Sequence, residues 1–395
     1  MALRICFRWM YSRFFYLKMA SSIMRIKTIA ATIFSTFICL LCFPSTVLSE
    51  ISLGKIQLPP NATGPEALAF ELGNGVFYTG IADGRILKYQ GRSTGFVDFG
   101  FTAPKRLLIF CISSKTILIL FFFMGQRSCF CMLVICSNSN CRSKLECDGT
   151  DTANPNPACG RPLGMALHHA TQKLYVCDAF FGFGVLGPQG GLATQLSTSA
   201  DGEPYRFCNA VDVHQLTGNV YFTDASAVYG IRQIAEAARV KDSTGRLLKY
   251  DPKTKKVTVL FRNLSGAAGV AVDEEEEFAL VSEFFMNRTR KIWLQGPKAN
   301  KSDIINSQPM PDNIKRTTLR YNFWLAAAMV KQRTQAIVPI GQRINAFGNG
   351  TVLQTVNLER WYGNKSVSEV QEYGGHLYVV SRLVDFVLVI PSFVV

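Results

Sequence analysis

The sequence predicts an all-β fold, a six-bladed β-propeller with a short covering helix near residues 232–240. Short β-like runs separated by polar turns recur in pairs every 40–55 residues once residues 105–141 are set aside. One six-residue motif appears twice with a single change, at Gly84–Tyr89 and Gly245–Tyr250. Repeats of this period built from short strands are typical of propellers, in which four-stranded blades surround an axis. A doubly wound α/β fold would need a helix between successive strands, and only Arg232–Val240 has a helical pattern.

The strand pairs share one design, in which a first strand ends in an acidic or small residue and a polar turn leads to a second strand. They are, in order, Gly75–Gly80 with Arg85–Tyr89, Lys173–Asp178 with Phe183–Leu186, Asn219–Asp224 with Gly245–Tyr250, Phe278–Glu283 with Thr289–Trp293, Asn322–Leu325, and His376–Val380 with Val387–Ile390. Six such starts over about 309 residues predict six blades.

The net charge of +14 and the 12 cysteines are concentrated in two segments. Residues 1–49 contain six basic residues and no acid, residues 105–141 contain four and no acid, and the two together hold eight cysteines. The remaining 309 residues carry a charge of only +4, with no basic stripe interleaved with aromatics, so nucleic-acid binding is not expected. A literal G-x-G-x-x-G at residues 182–187 runs into Pro188 and a turn instead of a helix, which argues against a phosphate loop.

Residues 1–49 are predicted to be a signal or leader segment. From Met19 a short basic stretch is followed by the apolar run Thr28–Cys42 and by small residues before Glu50. A membrane anchor is the alternative, disfavoured because Pro44 and Ser45 interrupt the run. Residues 1–18 precede this better start and stay in question. We therefore expect no stable membrane span after cleavage and a single propeller domain over residues 50–395.

Glycosylation acceptors support the secretory route. Six N-x-S/T sites follow the leader, at Asn61, Asn263, Asn287, Asn300, Asn349 and Asn364. The chain ends without an endoplasmic reticulum retention signal. The sequence thus predicts a glycoprotein of the secretory pathway, vacuolar or extracellular, with the endoplasmic reticulum as a further alternative.

Residues 105–141 interrupt the propeller pattern with an apolar insert. Its longest uninterrupted apolar stretch, 117–125, is too short to span a bilayer, which needs about 20 residues. The insert shows neither alternation nor a helical stripe and is rich in Phe, Leu, Ile, Cys and Ser, the residues of thymine-rich codons. We interpret it as translated non-coding sequence, with a membrane hairpin as the alternative.

Several blocks of the chain resemble the strictosidine synthase-like proteins of plants. They are Gly160–Gly164, Tyr175–Asp178, Asn219–Asp224, Gly245–Pro252 and Asp312–Arg316, together with Gly95–Phe99 and Ala193–Ser197. The resemblance runs from about residue 65 to residue 388 and is broken only by the insert, which the family lacks. It implies a six-bladed propeller, in agreement with the strand count.

The four cysteines outside the leader and the insert divide into two pairs. Cys147 and Cys159 flank a loop rich in Asp, Asn, Pro and Gly that suits a disulfide in an oxidising compartment. The resemblance implies the same bond at this place. Cys177 and Cys208 are predicted to be buried free thiols, with a second disulfide as the alternative. None of these four cysteines belongs to a C-x-x-C pair, so a zinc site is not expected.

A propeller places its ligand site at one end of the axis, so polar residues at corresponding strand ends are the candidates. They are Glu66, Asn209, Asp224, Glu283 and Asn313, with Tyr229 and the predicted helix as covers of the pocket mouth. Asp224 and Glu283 have an alternative interpretation, in which each fixes a blade turn.

The resemblance implies two chemistries. True strictosidine synthases condense tryptamine with secologanin and use a glutamate after an F-W-V-S-S-S stretch, where this chain has Met329 and Val330, neither of which can move a proton. Strictosidine formation is therefore not expected. The wider group of calcium-dependent lactonases and esterases suggests a weak calcium site at Glu66 and Asn209, but Ala268 stands where a further Asn ligand is expected. We expect no required cofactor.

Two classes of function follow. The first is a secretory enzyme acting on a small-molecule metabolite, most plausibly as a hydrolase of an ester or lactone. The second is a non-catalytic propeller that binds a ligand or partner at its axial face.

Overall fold

Six antiparallel sheets form a ring in the computed structural model, which describes residues 54–104, 147–150 and 152–392. The first strand of each sheet contacts the first strands of the two neighbouring sheets, so these six inner strands surround a common axis. The prediction of a six-bladed β-propeller is therefore confirmed. The leader 1–49 and the insert 105–141 lie outside the described residues.

The strands of each blade follow the chain from the axis outward. Blade 1 has Leu68–Phe70, Phe77–Gly80, Arg85–Tyr89 and Phe96–Phe101, extended by the short parallel strand Gly191–Leu192. Blade 2 has Pro162–His168, Lys173–Asp178, Gly182–Leu186 and Thr194–Ser197. Blade 3 has Cys208–Val213, Val220–Asp224, Gly245–Asp251 and Lys256–Leu264. Blade 4 has Ala267–Val272, Phe278–Glu283, Arg288–Trp293 and Ser302–Asn306. Blade 5 has Ile314–Arg316, Asn322–Val330, Ile337–Asn345 and Thr351–Asn357.

Blade 6 closes the ring with strands from both ends of the described chain. Its inner three strands are Glu369–Tyr373, His376–Val380 and Phe386–Pro391, and its outer strand is Gly54–Gln57. The outer strand pairs antiparallel with Phe386–Pro391, with Ile56 opposite Val387. Closure in this way ties the first blade to the last through a full set of ladder hydrogen bonds.

Few other elements interrupt the blades within the described residues. A hairpin of Ser199–Ala200 with Glu203–Pro204 follows blade 2. A 3₁₀ turn, Ile231–Gln233, leads into the α-helix Ile234–Arg239, which confirms the predicted helix. The 3₁₀ turn Phe284–Met286 and the α-helix Glu359–Tyr362 are shorter. None of the helices in the described part of the chain is long and apolar enough to cross a membrane.

The core lies between neighbouring blades. Every second side chain of a strand points toward the neighbouring sheet, so the side chains of adjacent twisted sheets pack face to face. Phe183 of blade 2 stacks on Phe222 of blade 3 with 4.4 Å between ring centroids. Phe70 and Phe77 of blade 1 contact Tyr378 of blade 6 edge-on across the closure. Each blade is therefore stabilised by its neighbours as well as by its own hydrogen bonds.

Two disulfides are present among the described cysteines. Cys147 and Cys159 are bonded with 5.5 Å between their Cα atoms, as predicted. The prediction of free thiols at Cys177 and Cys208 was wrong, because these residues form a second disulfide with 5.2 Å between Cα atoms. Cys177 lies on the second strand of blade 2 and Cys208 on the first strand of blade 3, and these strands meet because the two blades pack against each other in the ring. The two cysteines are 31 residues apart in sequence, so no local pattern indicated the bond.

In blades 2, 3 and 4, a buried acidic residue at the end of the second strand binds the segment that leads into the inner strand of the same blade. Asp178, Asp224 and Glu283 are fully buried. Their carboxylates accept hydrogen bonds from the backbone N–H groups of Arg161, Phe207 and Ser265 respectively, at 2.7, 3.0 and 3.0 Å. A carboxylate that binds backbone donors and a neighbouring arginine holds a turn without needing water.

We expect Asp224→Ala to destabilise the fold strongly. Asp224 Oδ2 lies 2.6 Å from the Arg246 guanidinium, and Arg246 is 1% exposed, so the change leaves a buried charge without its closest counter-ion. The expected loss is about 3–5 kcal/mol in the free energy of unfolding, measured by urea denaturation. Glu236→Ala is the control, because it breaks an exposed pair of the same 2.6 Å length with Arg239 and should leave the midpoint unchanged. Equal effects of the two substitutions would contradict the role given to burial.

Candidate active site

A pocket of about 640 Å³, counting the part open to solvent, lies at one end of the axis. Its polar wall consists of Glu66, Thr152, Arg161, Asn209, Asp312, Ser366 and Arg382. The apolar wall is supplied mainly by Leu163, Phe207, Ala225, Ile231, Ile234, Phe284 and Phe285. A concave, largely apolar site with a few converging polar groups is the usual form of a small-molecule site.

Residues just before the inner strands, or early in them, build most of the polar wall. Glu66 precedes the inner strand of blade 1 and Arg161 precedes that of blade 2. Their side chains form an ion pair with 3.1 Å between Arg161 Nη2 and Glu66 Oε2, and both residues are buried. Gly160 has φ of +84°, and a Cβ there would lie 2.6 Å from Thr102 Oγ1 and 2.8 Å from Asp178 Oδ2, so glycine is required beside Arg161.

Asp312 is the second carboxyl group of the wall. The segment that enters blade 5 fixes it, because its N–H donates to the carbonyl of Ala326 at 2.8 Å. Burial is the largest cause that raises the pKa of Asp312 well above its usual range, and the neighbouring charge of Glu66 is the second. The charge of Arg382 acts in the opposite direction. Asp312 therefore holds its proton more strongly than an exposed aspartate does.

A second ion pair involves the inner strands of blades 5 and 6. Lys315 Nζ lies 3.2 Å from Glu369 Oε2 and also donates to the carbonyl of Met165 in blade 2 at 3.4 Å. Burial raises the pKa of Glu369 to about 7, even with Lys315 beside it. Lys315, which is half-buried, thus links the inner strands of blades 2, 5 and 6.

The structure separates the predicted candidates into wall residues and structural residues. Glu66 and Asn209 line the pocket. Asn313 is buried behind the wall and its side-chain amide donates to the backbone carbonyl of Glu66 at 3.3 Å. Tyr229 does not line the pocket, whereas Ile231 and Ile234 of the predicted helical segment do.

Asp224 and Glu283 follow the alternative interpretation, in which each fixes a turn. The Glu283 carboxylate accepts from Ser265 N–H at 3.0 Å and from Arg288 and Arg290 at 2.6 and 2.9 Å. Burial opposes ionisation, but these hydrogen bonds lower the pKa of Glu283. Its oxygens are engaged with protein groups, so it shapes the site without facing a ligand.

Three charged wall residues were missed from the sequence, namely Arg161, Asp312 and Arg382. Arg161 belongs to a Gly-Arg-Pro turn that has no chemical signature of its own. Asp312 immediately precedes the predicted Asn313, and a shift of one residue exchanges the side chain that faces the pocket. Arg382 follows the second strand of blade 6, where no acidic residue marks the strand end.

The residues at the axis do not fit a calcium ion. The Glu66 carboxylate is bonded to a buried guanidinium, whose positive charge disfavours a divalent cation at the same oxygen atoms. Ala268 lines the wall without an oxygen ligand in its side chain. Asn209 remains a neutral polar group of the wall.

Met329 and Val330 lie away from the pocket. They end the second strand of blade 5 and are 38% and 42% exposed. Neither residue lines the axial wall. The positions that resemble the synthase's catalytic stretch therefore contribute no acid or base to this pocket.

A ring of six blades with a pocket and polar residues at one end of its axis defines a β-propeller with a candidate ligand site. Residues 209–297 match the family model described as strictosidine synthase, and residues 47–89 match that of the strictosidine synthase-like N-terminal region. The chain is 40% identical over 343 residues to Protein STRICTOSIDINE SYNTHASE-LIKE 12 of Arabidopsis thaliana, which covers 86% of this chain and 90% of the relative.

Two further relatives give the same result. Protein STRICTOSIDINE SYNTHASE-LIKE 11 of Arabidopsis thaliana is 39% identical over 86% of this chain and 92% of its own length. The strictosidine synthase of Catharanthus roseus is 32% identical over 83% of this chain and 84% of its own length. The chain belongs to the strictosidine synthase-like family, as the sequence motifs predicted.

The opposite pKa shifts of Asp312 and Glu283 predict opposite pH dependences of stability. Because the pKa of Asp312 is raised on folding, the folded state keeps a proton that the unfolded state has lost, and the wild-type protein loses stability as pH rises from about 4. Asp312→Asn removes this loss, so the variant should gain stability relative to wild type with rising pH. Glu283 has a lowered pKa, so its contribution to stability is complete above the usual glutamate pKa of about 4 and is lost as pH falls below it. Glu283→Gln should therefore lose stability relative to wild type as pH rises through this more acidic range. Urea denaturation at several pH values measures both differences, and parallel trends would contradict the assignment.

Proposed function

We propose that the protein hydrolyses an ester or lactone of a small metabolite in its axial pocket. The observation that carries the proposal is the pair of carboxyl groups in one wall with opposite surroundings. Glu66 is bonded to a guanidinium, whereas burial and the charge of Glu66 raise the pKa of Asp312. Carboxyl groups whose surroundings keep one ionised and the other protonated can act as base and acid in the same reaction.

The proposed reaction needs no metal ion. The Glu66 carboxylate accepts a proton from a water molecule, whose oxygen forms a bond with the carbonyl carbon of the substrate. The electron pair of the carbonyl bond moves to the oxygen, and the positive charge of Arg382 in the wall stabilises this oxyanion. As the carbon–oxygen ester bond breaks, Asp312 donates its proton to the leaving alkoxide. Exchange of protons with solvent then restores both carboxyl groups.

The apolar wall supports a metabolite as the substrate. Phe207, Phe284 and Phe285 lie beside the charged groups, and Ile231 and Ile234 cover one side. Phe284 and Phe285 are fixed in the 3₁₀ turn that follows Glu283, and their N–H groups donate to the carbonyls of Gly266 and Ser265. This arrangement excludes water around an apolar ligand while leaving the acid–base pair in contact with it.

Two observations support a secretory location, vacuolar or extracellular. The described chain contains two disulfides, which persist in oxidising compartments. The six predicted glycosylation asparagines, Asn61, Asn263, Asn287, Asn300, Asn349 and Asn364, are all exposed. Exposure is required for modification of these sites.

Asp312→Asn should lower kcat for a hydrolysed aryl ester or lactone by about 10²–10⁴-fold, because the leaving group loses its acid. In the wild type, kcat should fall as pH rises above the raised pKa of Asp312, where the acid loses its proton. Asp303→Asn is the matched control, since Asp303 is exposed on the outer strand of blade 4. Hydrolysis is followed by release of a chromogenic aryl alcohol from insert-free protein. Binding without turnover by the wild type would favour a non-catalytic ligand-binding propeller instead.

Tryptamine and secologanin should give no strictosidine above background. The condensation needs a base near the amine and the ring carbon, and Met329 and Val330 are apolar, exposed and outside the pocket wall. Chromatography coupled to mass spectrometry of the reaction mixture tests this. A time-dependent strictosidine peak that requires the folded protein would show that another residue supplies the base.

A further inference from the structure

Arg161 has one hydrogen-bonding group that the protein leaves without a partner. Its side chain is 2% exposed and lines the axial pocket. Nη2 donates to Glu66 at 3.1 Å, whereas the buried Nη1 has no hydrogen-bond partner among the described residues. A buried, unpaired donor on a charged group is costly, and such groups in binding sites are commonly satisfied by the ligand.

Hydrogen bonds hold the backbone of Arg161, which positions the start of its side chain. Arg161 N–H donates to Asp178 Oδ2 at 2.7 Å, and the Arg161 carbonyl accepts from Ala179 N–H at 3.0 Å. Asp178 in turn accepts from Phe180 and Phe181 N–H groups at 2.8 and 3.0 Å. The donor is therefore positioned before any ligand arrives, which lowers the entropic cost of binding.

The charges of the pocket favour an anion. Arg161 and Arg382 contribute two positive charges to the wall and Glu66 contributes one negative charge. Burial raises the pKa of Asp312, so this carboxyl group carries less negative charge than an exposed aspartate and offsets the two arginines less. The nearby Lys315 pairs with Glu369, and because the pKa of Glu369 is raised to about 7, this pair adds no net negative charge at neutral pH.

We propose that the pocket selects metabolites in which a carboxylate is joined to an apolar or aromatic body. One carboxylate oxygen accepts the hydrogen bond of Arg161 Nη1, and the apolar body packs against Phe207, Phe284 and Phe285. The inference rests on the proposed function only in taking this pocket as the ligand site. It does not require that any bond be hydrolysed.

A ligand series tests the inference on protein that lacks the insert 105–141 and carries no amino-acid substitution. Isothermal titration calorimetry at neutral pH compares 3-phenylpropanoate with 3-phenylpropanamide and 3-phenylpropan-1-ol, which share the same apolar body. The carboxylate should bind at least about tenfold more tightly than either neutral probe, because a charge-assisted hydrogen bond replaces a neutral one. Equal affinities, or tighter binding of the amide, would overturn the proposal.

Substitutions then assign the preference to Arg161. Arg161→Lys keeps a positive charge beside Glu66 but removes the planar fork that carries Nη1, so the preference for carboxylate should fall below about threefold. Phe285→Ala should weaken all three probes by the same factor and leave the preference intact. Loss of the preference in Arg382→Lys instead of Arg161→Lys would overturn the assignment. If Arg161→Lys does not fold, as judged by circular dichroism, the ligand series on the wild type still decides.

The outcome is separable from the hydrolase proposal. Carboxylate preference without ester turnover would support this inference and contradict the proposed hydrolysis. Ester turnover without carboxylate preference would support hydrolysis and contradict this inference.

Discussion

The buried carboxylates that end the second strands are the interaction on which the pocket depends. Asp178, Asp224 and Glu283 each bind the backbone N–H of a residue that leads into the inner strand of the same blade. Two of these residues, Arg161 and Phe207, are wall residues of the pocket, and Ser265 directly precedes a third, Gly266. The same hydrogen bonds that stabilise three blades therefore set the position of the charged and aromatic groups at the axis. Closure of the ring by Gly54–Gln57 then brings these segments together with Glu66 of blade 1.

The electrostatics of the pocket follow from this arrangement. A propeller brings polar residues of successive blades to one point, where burial acts on all of them together. Glu66 has Arg161 as its counter-ion, whereas Asp312 is buried near the charge of Glu66 and keeps its proton more strongly. The chain belongs to the strictosidine synthase-like family, but its axial chemistry is set by its own wall residues.

The sequence predicted the features that arise locally and missed those that arise from the ring. The strand pairs with their polar turns, the helix near 232–240 and the Cys147–Cys159 loop are all encoded over short stretches. The Cys177–Cys208 bond and the closure by Gly54–Gln57 depend on contacts between blades and leave no local pattern. Glu66 and Asn209 could be placed in the wall because inner-strand ends converge, but Asp312 could not, since one residue decides which side chain of the Asp-Asn pair faces the axis.

Carbon-13 NMR of the side-chain carboxyl groups tests the central claim most directly, which is that Asp312 is protonated beside an ionised Glu66. Selective labelling of aspartate and glutamate, with assignment by the signals lost in Asp312→Asn and Glu66→Gln, gives the charge state of each group at neutral pH. The account predicts the chemical shift of a protonated carboxyl for Asp312 and of a carboxylate for Glu66. An Asp312 signal that titrates at the usual pKa of aspartate, about 4, would contradict it.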